Sequence, residues 1–348
     1  MPVETITWTG KSVRLIDQTA LPAELRYLEI CDVECLWDAI RRMQVRGAPA
    51  LGIAAALGCY LGVRLSEARD QETFANELAR ICDFLGTARP TAVNLFWALR
   101  RVRDVVERLR DRPIADIKRA ILQEALDMIE EDHRVCRAIG RYGAELLHDG
   151  DHILTHCNAG GLATAGYGTA LSPVFVAAEQ GKCIHVYADE TRPQLQGARL
   201  TTWECQQAGI PVTLITDSTA ATVIAQGKVQ AILVGTDRTA ANGDVANKVG
   251  TLGLAVLANE FHVPFYVAAP LSSIDMNIAS GAEIPIEERS HDEVTCVLGH
   301  RIAPEGIEAY NPAFDVTPHR YVTALITERG IVRPPLAEGL RRVFEQVK

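Results

Sequence analysis

The spacing of apolar residues along this chain changes twice, and each change marks a different kind of structure. Near the start, Thr5-Ile-Thr-Trp8 and Ser12-Val-Arg-Leu-Ile16 are short β-favouring runs around Thr9-Gly10-Lys11, which predicts a hairpin. From Val33 to about His148 apolar residues recur three and four apart, as in Leu95, Leu99, Val102, Val106 and Leu109. That is the stripe of an amphipathic helix, so this stretch is expected to be mostly helical, with Pro49, Pro90 and Pro113 opening successive helices. Beyond Asp151, short apolar runs alternate with helical stretches, the runs falling at 152–156, 183–187, 211–215, 231–234, 264–268 and 322–326. Such runs, bounded by turn residues and spaced by helices, describe a buried parallel sheet of βαβ units. The fold class is therefore α/β, with a doubly wound parallel sheet in the second half. Between Ala269 and Tyr321 the rhythm breaks, and so long a stretch containing Gly and Pro is expected to be a functional loop region.

Size and charge narrow the picture. At 348 residues the chain exceeds the roughly 250–300 at which a single core stops growing, so two domains are expected. Hydrophobic residues make up 48% of it, yet no run reaches the roughly 18 uninterrupted apolar residues of a bilayer span, and no membrane association is expected. The segment from Met1 to Ile6 has neither a basic nor an apolar export region, which gives a cytoplasmic expectation. A net charge of −9 with no basic stripe argues against nucleic acid, so an anionic ligand must find a local cluster of arginines, lysines and amides.

Nine scattered cysteines read as reduced thiols rather than a disulfide framework. His152 and His156 invite a metal reading, but residues four apart in a strand are separated by about 13 Å at roughly 3.3 Å per residue. No metal site is expected.

In an open α/β sheet, ligands bind beyond the carboxyl ends of the strands. The residues that follow the runs are Cys157-Asn-Ala-Gly-Gly161, Asp189-Glu-Thr-Arg192, Gly235-Thr-Asp-Arg238 and Ala269-Pro270. Cys157 is either a packing thiol or, between a strand and a helix start, a group poised for an anionic ligand or thiolate chemistry. Asp237 either caps a turn or pairs with Arg238, or in an apolar pocket serves as a general acid or base. Gly166-Tyr-Gly168 with Asp189 about twenty residues on sketches a dinucleotide motif, but Leu171 stands at the third glycine position, so no nicotinamide cofactor is expected. Arg46-Gly-Ala-Pro-Ala50, Arg89 before Pro90, and Asn242 to Lys248 each place a basic residue near a helix start, where phosphate binds or where a solvated charge simply sits.

Taken together, these segments resemble the methylthioribose-1-phosphate isomerase family, aldose-ketose isomerases of methionine salvage grouped with the alpha, beta and delta subunits of translation initiation factor 2B. The resemblance is carried by Arg46-Gly-Ala-Pro-Ala50, Arg89-Pro-Thr-Ala-Val-Asn-Leu95, Thr155-His-Cys-Asn-Ala-Gly160, Asp189-Glu-Thr-Arg-Pro193, Leu195-Gln-Gly-Ala-Arg-Leu200, Gly235-Thr-Asp-Arg238 and Ala241-Asn-Gly-Asp-Val-Ala-Asn-Lys248, and extends through Ile284–Arg289 and Asn311–Pro318. It implies a small N-terminal mixed and mainly helical domain (1–130), a Rossmann-like C-terminal domain (131–348), a homodimer, no cofactor, and a sugar phosphate bound in a cleft between the domains. Carried over by motif, Cys157 and Asp237 are the catalytic pair, while Arg46, Gly47, Ala48, Arg89, Gln196, Asn247 and Lys248 hold the substrate. Leu252 and Cys205 depart from the pattern, where tyrosine and leucine would be expected, outside these positions. The alternatives are isomerases of ribose 1,5-bisphosphate or 5-deoxyribose 1-phosphate in the same family, and a non-catalytic regulatory subunit, against which the intact Cys157 and Asp237 argue.

Overall fold

In the computed structural model, which describes residues 3–346, the first apolar runs pair as expected. Strands β1 (Ile6–Trp8), β2 (Val13–Ile16) and β3 (Tyr27–Ile30) form an antiparallel sheet, with Ile6 opposite Leu15 and Val13 opposite Ile30. Five helices follow: α1 (Val33–Arg41), α2 (Ala48–Val63), α3 (Gln71–Gly86), α4 (Val93–Arg108) and α5 (Ile114–Ala144). Asp32 and Asp70 cap α1 and α3 by accepting from the amides of Cys35 and Thr73. Helix α2 is apolar on every side and is surrounded by α1, α3 and α4, so its stretch from Ala50 to Cys59 is buried throughout. On α4 the expected stripe is the buried one: Leu95, Leu99, Val102 and Val106 face the core, and the helix stops with Leu109 as its cap. Each such leucine contributes roughly 1.5–3 kcal/mol by leaving water.

The chain divides into two units. Of the described residues, one holds 3–135 together with Gly161–Gly168, and the other holds Cys136–Gly160 and 169–346. In the second, β4 (His152–Thr155), α6 (Ser172–Glu179), β5 (His185–Asp189), α7 (Thr202–Gln207), β6 (Val212–Ile215), α8 (Ala220–Ala225) and β7 (Ala231–Val234) follow in order, α7 being entered through a π-helical turn at Gly197–Thr201. After β8 (Arg238–Ala240), β9 (Val245–Lys248) and α9 (Thr251–Glu260) comes β10 (Phe265–Ala268). The long irregular region then holds β11 (Ile274–Asp275), α10 (Asp292–Thr295), β12 (Cys296–Val297), β13 (His300–Arg301) and β14 (Phe314–Thr317), before β15 (Ala324–Thr327), β16 (Gly330–Val332) and α11 (Leu336–Glu345) close the described chain.

All six expected runs become strands of one sheet, ordered β16-β15-β10-β7-β4-β5-β6, parallel except for the edge strand β16. The chain winds outward one way through β4, β5 and β6 and the other way through β7, β10 and β15. The order therefore reverses between neighbours β4 and β7, where Leu154 lies opposite Ile232. A crevice opens at such a reversal, beyond the carboxyl ends of the strands.

A second sheet, ordered β11-β8-β9-β14, goes beyond what the sequence predicts, which for 242–248 is a segment leading into a helix. Its strands are two to four residues long, too short for a period, and β9 pairs with a strand far along the chain, Val245 opposite Thr317. Among the described residues, no helix is long and apolar enough to cross a membrane.

Candidate active site

Cys157 immediately follows the His156 that ends the β4 run, and its backbone is in the left-handed region at φ 63°. A residue with a side chain rarely rests there, so something must hold it. Two hydroxyls do: the Cys157 amide donates to Thr191 Oγ1 at 2.8 Å, and its carbonyl accepts from Thr201 Oγ1 at 2.7 Å. Thr191 is itself at φ 65° after β5, and its hydroxyl donates to the Asp189 carbonyl at 3.0 Å. Next along the chain, buried Asn158 donates to Glu204 Oε2 at 2.6 Å and to Thr201 Oγ1 at 3.2 Å. The thiol is thus presented on a turn whose polar backbone is satisfied by side chains from β5 and the π-turn.

Asp237 stands after β7, the neighbour of β4, and its amide donates to the Ala246 carbonyl at 2.9 Å. The neighbouring Arg238 guanidinium donates to Asp275 Oδ2 at 2.8 Å. Strand β9 delivers Asn247 and Lys248, both buried. Asn247 donates to Thr251 Oγ1 at 3.0 Å, and Lys248 Nζ donates to the Ala313 carbonyl at 2.8 Å and lies 5.2 Å from the centre of the Phe314 ring. Burial lowers the Lys248 pKa, and Cys157 and Asp237, when ionised, act against that, which puts the ammonium within electrostatic reach of both. Gln196, also buried, donates to Gln194 Oε1 at 2.9 Å, while its own Oε1 has no protein partner. Gln194 in turn donates to Glu293 at 2.8 Å, and Arg289 and Asn311 hold the same carboxylate, so the irregular region braces this corner. Within this unit, then, Cys157, Asp237, Asn247 and Lys248 stand on or beside strand ends, the first two at the reversal of strand order, while Gln196 stands at the start of the π-helical turn.

Arg46, Gly47, Ala48 and Arg89 belong to the helical unit. Gly47 caps the start of α2 at φ 94°, and a Cβ there would lie 2.4 Å from the Cα of Ala163, so only glycine fits. The first turns of α2 and α4 touch, Gly52 against the Asn94 carbonyl, which draws the Arg46–Ala48 and Arg89 segments to one end of the helix pair. Two positive helix ends and two arginines at one end of the helix pair have the chemistry that suits an anion.

His156, Asp189, Thr191, Thr201 and Glu204 support the site without having been singled out for it. From the sequence alone His156 has no role beyond a rejected metal ligand, and Asp189 none beyond a strand-end segment and a dinucleotide motif. The signal was available in part: the resemblance motifs contain most of these residues, and His156 and Asp189 end neighbouring strands. His156, Asp189 and Asp217 bring ligand-type atoms within 4.8 Å of one another. Each nitrogen of His156 already faces an acceptor, Asp189 Oδ2 at 2.9 Å and the Val249 carbonyl at 2.8 Å, and both Asp217 oxygens accept amides, from Thr191 and Arg192. The amides of Gly166 and Gly168 both donate to Thr164 Oγ1, so this glycine pair closes an internal turn.

Comparison with known proteins adds the following. The model of the Initiation factor 2 subunit family matches residues 44–334. A protein of Moorella thermoacetica named 5-deoxyribose 1-phosphate isomerase is 57% identical over 343 residues, covering 99% of this chain and 98% of its own. A Symbiobacterium thermophilum protein named methylthioribose-1-phosphate isomerase is 54% identical over 338 residues, covering 97% and 94%. The solved structure of 5-methylthioribose 1-phosphate isomerase from Pyrococcus horikoshii OT3 superposes with a TM-score of 0.92 at 50% identity, covering 99% of this chain and 96% of that one.

Proposed function

This chain belongs to the Initiation factor 2 subunit family, and we propose that it converts 5-methylthioribose 1-phosphate into 5-methylthioribulose 1-phosphate at the reversal of its strand order. That it is an isomerase follows from relatives more than half identical over nearly its whole length. The substrate and the roles of individual residues are our reading. The observation that carries it is the placement of Cys157 and Asp237 at the ends of neighbouring strands β4 and β7, with the Lys248 ammonium responding to both.

The chemistry asks for such a set. Phosphate on the anomeric carbon locks the sugar as a ring and leaves no free aldehyde at C1, so the bond between C1 and the ring oxygen must first be broken by acid, which leaves C1 as an oxocarbenium still carrying its phosphate. In our reading Asp237 gives its proton to the ring oxygen as the C1–O bond breaks, Cys157 as a thiolate takes the proton from C2 and returns it to C1 through an enediol-like enol phosphate, and the C2 hydroxyl hands its proton back to Asp237 as the ketone forms. Lys248 offsets the negative charge that develops on the oxygens. The unpartnered Gln196 Oε1 accepts from a sugar hydroxyl, Asn247 donates to one, and the Arg46–Ala48 and Arg89 corner binds the phosphate. The active molecule is a homodimer, to be checked by sedimentation.

Turnover in deuterated water tests the chemistry: solvent deuterium at C1 of the product is expected, and its absence would replace the proton transfer with a hydride shift from C2 to C1. A second reading is favoured by the Moorella thermoacetica relative, whose name carries a 5-deoxyribose 1-phosphate substrate. The two substrates differ only at C5, so kcat/KM is measured for each. A preference of about tenfold or more for the methylthio compound is expected, and the reverse preference would assign the deoxy substrate.

A further inference from the structure

We propose that His156 is a positioning residue whose imidazole ties the Cys157 turn to the Asn247–Lys248 segment, an inference that rests on reading those groups as the reacting ones. His156 is buried. Its Nε2 lies 2.8 Å from the Val249 carbonyl, and since a carbonyl can only accept, Nε2 carries the hydrogen. Its Nδ1 lies 2.9 Å from Asp189 Oδ2. One ring thus joins three strand ends: its own after β4, Asp189 at the end of β5, and Val249 just past β9. Its chain neighbour on one side is Cys157, and the residue preceding its carbonyl partner is Lys248.

The joint is tight on every side. A Cβ at Gly250 would lie 2.8 Å from the ring Cε1, and Gly250 is at φ 108°, so the chain passes the ring at a distance only glycine allows. Beyond the ring, the Gly250 and Leu252 amides donate to the two oxygens of Asp315 at 2.7 and 3.1 Å, which fixes the start of α9. On the Cys157 side, Asp189 acts twice: its carboxylate holds the ring, and its carbonyl orients the Thr191 hydroxyl that holds the Cys157 amide. A shift of the imidazole is therefore passed both to the thiol and to the ammonium, and misplacement by a fraction of an ångström is enough to slow a reaction of this kind. A histidine that merely fills the core has no such connection.

Two substitutions separate the roles. His156→Gln can place its amide on the Val249 carbonyl and keep the tie, whereas His156→Asn reaches only toward Asp189 and breaks it. We expect kcat within about fivefold of the native protein for His156→Gln, and a loss of about fiftyfold or more with KM within about threefold for His156→Asn. A second readout needs no turnover: the rate at which iodoacetamide alkylates Cys157, followed on its own peptide by mass spectrometry, changes at least about fivefold in His156→Asn and stays near native in His156→Gln. If the two variants behave alike in both readouts, whether by losing or keeping function, the proposal is overturned. Should His156→Asn fail to fold, Asp189→Asn decides. It can donate to Nδ1 of a neutral ring while Nε2 keeps its carbonyl, so kcat stays within about fivefold, and a fiftyfold loss would place the role in charge rather than position. If the native protein turns over no pentose 1-phosphate, the proposed function fails by itself, and the alkylation contrast still tests the tie.

Discussion

The proposed anion-binding corner of the helical unit and the strand-end group of the sheet unit are built in different ways. In the first, the chemistry comes from the backbone: helix ends point their amides outward, arginines stand beside them, and a glycine leaves room for close approach. In the second, it comes from side chains whose positions are over-determined, with a cysteine pinned by two hydroxyls, a lysine buried against a carbonyl, and a histidine joining three strand ends. The first arrangement suits a group that is held throughout the reaction, and the second suits groups whose charge must change at one moment. Substitutions in the two should therefore separate in kinetics, the helical corner moving KM and the strand ends moving kcat.

The largest effect is expected from Asp237→Asn, which keeps the shape and removes the proton. kcat should fall by about a thousandfold or more with substrate affinity within a few-fold, checked by steady-state kinetics and calorimetric binding; a kcat within tenfold would remove the acid role. On the other side of the comparison, Gly47→Ala meets Ala163 and an unfavourable backbone angle, and should raise KM by about thirtyfold, some 2 kcal/mol, while kcat changes less than about threefold. If kcat fell instead, the contrast between holding and reacting groups would collapse.

A smaller effect concerns pH. Burial depresses the Lys248 pKa, so its ammonium gives up the proton at a lower pH than a free lysine. kcat should accordingly decline as pH rises toward the ordinary lysine range, and Lys248→Arg, which keeps its charge, should lose that alkaline limb even if its overall rate is lower. The smallest is Arg238→Gln. Its ion pair with Asp275 is partly exposed, so the loss is expected to be about 1 kcal/mol of stability, read as a lowered Tm, with kcat within about fivefold. A large kcat loss there would bring Arg238 into the strand-end group.

What the sequence revealed follows the same division. The six parallel strands were visible because each is a continuous apolar run between turns, and Cys157 and Asp237 were candidates because they follow such runs, becoming a named pair only through the resemblance of the motifs around them. The start of α2 was visible because Arg46-Gly-Ala-Pro puts its signals in adjacent positions. The second sheet was hidden by strands too short to show a period, and the histidine joint by partners that only folding brings together: Asp189 on another strand, and at Val249 a backbone carbonyl, which no residue type announces.

The left-handed backbone at Cys157 has a consequence for anyone who would improve this protein. Glycine is the residue that this turn tolerates most easily, and the threonine hydroxyls at positions 191 and 201 exist to keep something else in its place. A search that ranks substitutions by stability alone would mark the thiol as a flaw and repair it early. With Cys157 in its proposed role the engineered chain would be sturdier and inert, so position 157 is the one to withhold from any such search.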